Sequence, residues 1–135
     1  FDNFDIIAAY AQTELGHGSD VAALQTTATF DVKTDEFILH TPCLEATKWW
    51  PGSLAHNCTH ALVLARLCIP DEDGDITDYG LAPFMMQIRD SDTHKNLPGI
   101  KTGNMGPKFG YSDVDNGWMT FDQVRIPRSQ LLQRI

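Results

Sequence analysis

Leu24, Thr26, Ala28 and Phe30 alternate with Gln25, Thr27 and Thr29, and this β-branched period-two run predicts a strand with one wet face. Residues 31–35 supply a turn, after which Glu36-Phe37-Ile38-Leu39-His40 returns as the second strand of a hairpin. Thr41-Pro42 ends the pairing, because proline has no ladder donor. The run from His60 to Leu67 is the most apolar in the chain and reads as a central strand buried on both faces. A helix over the same residues is the open alternative; the turn residues that come after it, and a next strand at 81–89, favour β. Pro98 and Gly99 open an extended piece at 100–102, and Gly103, Gly106, Pro107 and Gly110 then make a long irregular loop. Asp115-Asn116-Gly117 is a hairpin-turn signal. It leads into a strand from Trp118 to Phe121 that carries on through Val124 and Ile126.

Helical spacing is confined to the two ends. Phe4, Ile7, Ala8 and Ala11, with Asp2 and Asn3 as caps, predict a short helix that ends before Tyr10 and gives way to a brief extended segment. Ser129 is placed to cap a helix containing Leu131 and Leu132. Short strands with proline-rich turns between them, and helix only at the termini, define an all-β class: a single barrel-like or sandwich-like domain. Its 135 residues are enough to bury one core.

Charge narrows the partners. At a formal net charge of −8 the chain is a poor match for nucleic acid, whose affinity comes mainly from cationic contacts to phosphate. No apolar run approaches the length that spans a bilayer, and no signal-peptide pattern is present. Cys43, Cys58 and Cys68 are odd in number and irregularly spaced, which suits reduced thiols in an intracellular protein better than a disulfide framework, and makes the formal sequon Asn57-Cys58-Thr59 silent.

The stretch with the most chemistry is Tyr10-Ala11-Gln12-Thr13-Glu14-Leu15-Gly16-His17-Gly18-Ser19-Asp20. Gly16 and Gly18 let backbone N–H groups approach a bulky ligand, while Thr13 and Ser19 add hydroxyls. The result is a polar cradle suited to a planar heterocycle or a phosphate; a surface turn is the plainer account. A dinucleotide-binding fingerprint is excluded, since Val21 stands where the third glycine is required. Asp71-Glu72-Asp73-Gly74-Asp75 fails the calcium-loop template at Ile76 and Ala82, and reads as a solvated hairpin loop. His56 and His60 are four apart, but they lead into a predicted strand and lack a partnering carboxylate, which weakens a metal reading. No nucleophile elbow, zinc-protease or phosphate-loop motif occurs.

Five ordered blocks decide the functional expectation: residues 10–19, Lys48-Trp49-Trp50-Pro51-Gly52, Gly106-Pro107-Lys108-Phe109-Gly110, Asp115-Asn116-Gly117 and Val124-Arg125-Ile126-Pro127-Arg128. Together they resemble the middle β-domain of peroxisomal acyl-CoA oxidases, over nearly the whole chain. Related acyl-CoA dehydrogenases usually carry Pro where Leu15 stands and Trp-Ile-Thr where Trp50-Pro51-Gly52 stands.

The resemblance implies a β-barrel excised from a larger chain, 1–135 being one FAD- and acyl-CoA-binding domain between helical domains of a homodimeric peroxisomal parent. A start without Met and returning helical character near Ile135 agree with that expectation. Also by resemblance, Thr13 and Gly52 contact FAD, Trp49 or Trp50 packs on the ring system, and Gly18 and Ser19 lie near the cofactor phosphates or the fatty acyl-CoA. The family's catalytic base is a glutamate in the C-terminal helical domain, so no residue here, Glu14 and Asp20 included, is expected to be catalytic. Two alternatives stay open: a dehydrogenase delivering electrons to an electron-transfer flavoprotein, and a cofactor-free β-sandwich interaction module. Glycine at 52 either widens the flavin site toward O2 or merely permits a turn after Pro51.

Overall fold

A computed structural model describes residues 6–133 of the chain. Its strands form two sheets. Strand β1 (Ala8–Ala11) runs parallel to the first part of β5 (His60–Pro70), and β2 (Thr27–Asp31) runs parallel to Arg66, Leu67 and Cys68 further along the same strand. Strand β6 (Ile76–Gln87) is antiparallel to β5 along its other edge, from His60↔Gln87 to Pro70↔Ile76. From β2 the sheet continues antiparallel into β3 (Glu36–His40) and then β9 (Val124–Pro127), completing six strands that curl as a half-barrel. The second sheet has three strands in the order β4 (Lys48–Gly52), β8 (Asn116–Phe121), β7 (Ile100–Asn104).

Alternation builds the core. Phe37 and Leu39 of β3, Ala61, Val63, Ala65 and Leu67 of β5, and Phe84 and Met86 of β6 face inward and meet Ile100, Met119 and Phe121 of the smaller sheet. The Phe37 ring lies 5.1 Å from those of both Phe30 and Phe84, tilted or edge-on as aromatic quadrupoles prefer. The all-β class expected from the sequence is what the chain adopts.

Four local expectations need correction. Ala8–Ala11 is strand, because Ala9 and Ala11 alternate into the core while Ala8 and Tyr10 face out; Asp2, Asn3 and Phe4 lie outside the described residues. At the other end, Arg128–Gln130 is a single 3-10 turn with no side-chain cap, and Leu131 turns extended to bridge Phe84. Strand β5 is buried on one face only: His60, Leu62, Leu64 and Arg66 are half-covered. The expected strand through Val124 and Ile126 breaks at Gln123, whose φ is 51°, so that β8 and β9 belong to different sheets.

Since β6 occupies one edge of β5, β1 and β2 must share the other, pairing with residues 60–63 and 66–68. Between them the chain leaves the sheet over residues 12–26, and Leu64 loses its strand partner on that edge.

Candidate functional site

The excursion is pinned by a buried ion pair. Lys48 Nζ lies 3.0 Å from Glu14 Oε1, and both side chains are completely buried. The ammonium also donates to the carbonyls of Gln12 at 3.0 Å and Leu64 at 2.6 Å, so its three protons are matched and the gap in β5's edge is closed. Glu14 in turn accepts the amides of Gln25 at 2.7 Å and Thr26 at 3.0 Å, joining the start of the excursion to its end. Burial opposes ionisation of Glu14, but the Lys48 charge and these amides outweigh it and hold the carboxyl below its ordinary value. Burial likewise pulls the Lys48 ammonium below its ordinary value, against the opposing pull of Glu14.

With that anchor in place, residues 13–16 run antiparallel beside the chain leading into β4. Trp49 N–H donates to Thr13 O at 3.0 Å, Leu15 N–H to Thr47 O at 2.8 Å and Gly16 N–H to Glu45 O at 2.9 Å. The Thr13 hydroxyl donates to the Trp49 carbonyl at 2.5 Å. Thr13 therefore sits against the strand that carries Trp50 and Gly52. Gly16 belongs to this packing, since a Cβ there would lie 3.0 Å from Glu45 Cβ. Gly18 and Ser19 lie past the turn, exposed, and a Cβ on Gly18 would find no atom within 4 Å. His17 bonds through Nε2 to the Gln25 amide nitrogen at 3.1 Å, and Gln25 accepts the Cys43 thiol at 3.0 Å.

The end of β4 is irregular. Its register with β8 shifts between Trp49 and Gly52, and Trp50 has φ 82° with 51% of its surface exposed. A bulky side chain in left-handed backbone marks a strained position. Ser53 comes next at φ 63°, whereas Gly52 is not left-handed and has nothing within 4 Å of a Cβ. Neither the backbone conformation at 52 nor any described neighbour thus requires glycine there.

Residues the sequence did not tie to the site hold this end. Asn116 Nδ2 donates to the Trp50 carbonyl at 2.8 Å. Asp115 accepts the Ser53 amide on its main-chain oxygen at 2.6 Å, and the amides of His56 and Asn57 on Oδ2 at 3.1 and 3.0 Å. Arg89, only 3% exposed, donates to the carbonyls of Leu54, Ala55 and Cys58 and to the Thr102 hydroxyl. Burial pushes the Cys58 thiol up despite the neighbouring Arg89 charge, leaving it an inert core group. Asp115-Asn116-Gly117 is no hairpin turn: Asn116 opens β8 and pairs with Gly52. His56 lies in a turn and His60 begins β5, and their rings contact Asn104 and Thr59 respectively. The acidic loop uses Asp71 to accept the amides of Asp73 and Asp75. A separate groove of about 600 Å³, lined by Met86, Leu97, Ile100, Val124 and Ile126, shares no residue with Thr13, Trp50 or Gly52.

Residues 9–124 match the family described as acyl-CoA dehydrogenase, middle domain. The chain belongs to that family. Among curated relatives, this middle domain is 51% identical over 137 residues to peroxisomal acyl-coenzyme A oxidase 1 of Arabidopsis thaliana, covering 99% of the domain and 20% of the relative. The oxidase of the same name from Rattus norvegicus is 50% identical over 129 residues, with 96% and 19% covered. The solved structure of Arabidopsis thaliana acyl-CoA oxidase 1 superposes with a TM-score of 0.91 at 51% identity, over 98% of the domain and 20% of that chain. Acyl-CoA oxidase-2 of Caenorhabditis elegans, solved with FAD, ascaroside-CoA and ATP, gives 0.90 at 46% identity, over 97% and 19%. The domain spans about a fifth of the length of these relatives.

Proposed function

We propose that this middle domain forms one wall of the FAD and substrate site of a peroxisomal acyl-CoA oxidase, which converts fatty acyl-CoA and O2 to trans-2-enoyl-CoA and H2O2. The reading rests above all on Thr13 lying hydrogen-bonded against β4, with an exposed Trp50 indole and the uncrowded Gly52 next along that strand. The identity to oxidases from plant and mammal supports it further.

These groups fit a flavin. An indole is a stacking surface for a planar ring. Because the Thr13 hydroxyl already donates to Trp49, its lone pairs are left to accept an N–H from the heterocycle edge. Gly18 and Ser19 are exposed, open positions for a phosphate of FAD or of the acyl-CoA. When bound, FAD accepts the hydride from the acyl β-carbon and passes the electrons to O2. By the family resemblance the base that removes the α-proton is a glutamate of the C-terminal helical domain, and Glu14, paired with Lys48, is not free to take that role.

The domain works with helical neighbours in a longer, homodimeric chain. Tyr10, Leu62 and Met85 stand in register across β1, β5 and β6, with Leu64 opposite Pro83 beside them, and this outward face is apolar yet partly exposed. An unaccompanied 135-residue chain therefore has no acyl-CoA turnover and binds FAD weakly or not at all. Substantial peroxide production by the purified chain contradicts the reading.

Gly52 supplies the test of acceptor choice. In the full-length oxidase, Gly52→Thr fills the open space beside the ring and slows the return of the oxidised flavin spectrum in air after anaerobic reduction by substrate. An unchanged rate removes Gly52 from O2 access. Absence of peroxide from the unsubstituted enzyme, with reduction of an electron-transfer flavoprotein instead, favours the dehydrogenase.

A further inference from the structure

Two residues beside the proposed flavin wall, Trp50 and Ser53, have left-handed backbone, and each has one backbone polar atom held by the same short segment. Asn116, 6% exposed, donates from Nδ2 to the Trp50 carbonyl at 2.8 Å. Its neighbour Asp115 accepts the Ser53 amide at 2.6 Å and, through Oδ2, the amides of His56 and Asn57. Gly117 completes the contact by lacking a side chain: a Cβ there would lie 2.6 Å from Ala55 N and 2.9 Å from Ala55 Cα. Any larger residue pushes the 53–55 turn off β8.

We infer that Asp115, Asn116 and Gly117 act as a clasp that holds the β4 bulge in its left-handed form and thereby fixes the Trp50 indole against the flavin. They are positioning residues for the redox site. The clasp presupposes the flavin wall proposed for this domain, and its basis is conformational. Ordinary strand pairing aligns β4 with β8 at Lys48↔Met119, Trp49↔Trp118 and Gly52↔Asn116, but leaves Trp50 without a paired residue. A tryptophan there relaxes toward negative φ unless something retains it. The side-chain amide of Asn116 retains the carbonyl before Pro51, and the Asp115 main chain retains the amide after Gly52, so the bulge is gripped on both sides.

The experiment uses the full-length oxidase and FAD itself as the probe. Asn116→Leu keeps the approximate shape and removes the donor; Asn116→Ser, too short to reach the Trp50 carbonyl, is the second variant should the first fail to fold. Each is made in the natural background and in a Trp50→Gly background, where glycine takes positive φ without help. Apoenzyme is titrated with FAD, and the visible circular dichroism of the bound flavin is recorded. In the Trp50 background, loss of the Asn116 bond weakens FAD binding by about tenfold, the worth of one buried hydrogen bond, and changes the flavin dichroism. In the Trp50→Gly background the same substitution has no further effect on either readout. An equal loss in both backgrounds, or no loss in the Trp50 background, overturns the clasp while leaving the flavin wall standing. Unchanged affinity and dichroism in Trp50→Gly alone remove the Trp50 indole from the flavin wall, and overturn the clasp with it.

Discussion

Lys48→Met lowers the unfolding free energy of the chain by about 3–5 kcal/mol in urea denaturation, because it leaves an ionised carboxylate buried without its cation. The structure gives the loss three components. Glu14 loses the ammonium 3.0 Å away, and the carbonyls of Gln12 and Leu64 lose their donor at the gap in β5's edge. Glu14→Leu costs a similar amount from the other side, stranding the ammonium. Replacing both at once, Glu14→Leu with Lys48→Met, costs less than the sum of the single changes, since buried pairs exchanged for apolar groups together leave no bare charge. Additive losses in the double variant refute the pairing.

The pH profile separates this pair from a packing effect. Glu14 has a folded pKa below its ordinary 4.5, so its stabilisation is full above pH 4.5 and disappears as pH falls through the lowered folded value. In Lys48→Met the charge that lowers it is gone and the folded value moves up toward the unfolded one. The acid limb of the stability curve therefore flattens in the variant. An acid limb as steep as that of the unsubstituted chain contradicts the assignment. A loss of this size is a large share of a domain's usual stability and bears on the site, since the same pair fixes Thr13 beside Trp49.

Local pattern made β3 legible to the residue: Phe37 and Leu39 face the core and the proline after Thr41 stops the strand. The break between β8 and β9 was also written in the sequence, because the buried positions Met119 and Phe121 resume at Val124 and Ile126 after a step of three instead of two. Glu14 and Lys48 were not legible as partners. A charge in an alternating pattern reads as outward-facing, and the gap these two fill exists only once β1 and β2 share one edge of β5. Asn116 was hidden differently: an Asn-Gly pair is a strong turn signal, and only the distant Trp50 carbonyl gives that side chain another use. The meeting of Thr13 with β4 was foreseen from family resemblance; composition and periodicity alone give no hint of it.

Arg89→Met produces the other large loss. The guanidinium reaches Cys58 O at 2.6 Å through Nη1, and Leu54 O at 2.8 Å, Ala55 O at 3.0 Å and Thr102 Oγ1 at 2.8 Å through Nη2. None of these partners is a carboxylate. The cation instead collects main-chain oxygens that the 53–58 turn cannot satisfy within itself, which a planar fork with several donors does and a thioether cannot. Methionine fills much of the volume but leaves three buried carbonyls unpaired, for a loss of about 3–5 kcal/mol in the urea transition. Arg89→Lys retains the charge, yet one ammonium cannot serve the carbonyls of Leu54, Ala55 and Cys58 together with the Thr102 hydroxyl, so it recovers only part. The turn comes directly after Gly52, and the full-length Arg89→Met enzyme accordingly binds FAD more weakly even at temperatures where it stays folded. A loss below about 1 kcal/mol in the chain means the three carbonyls find other donors and removes Arg89 from the frame that supports β4.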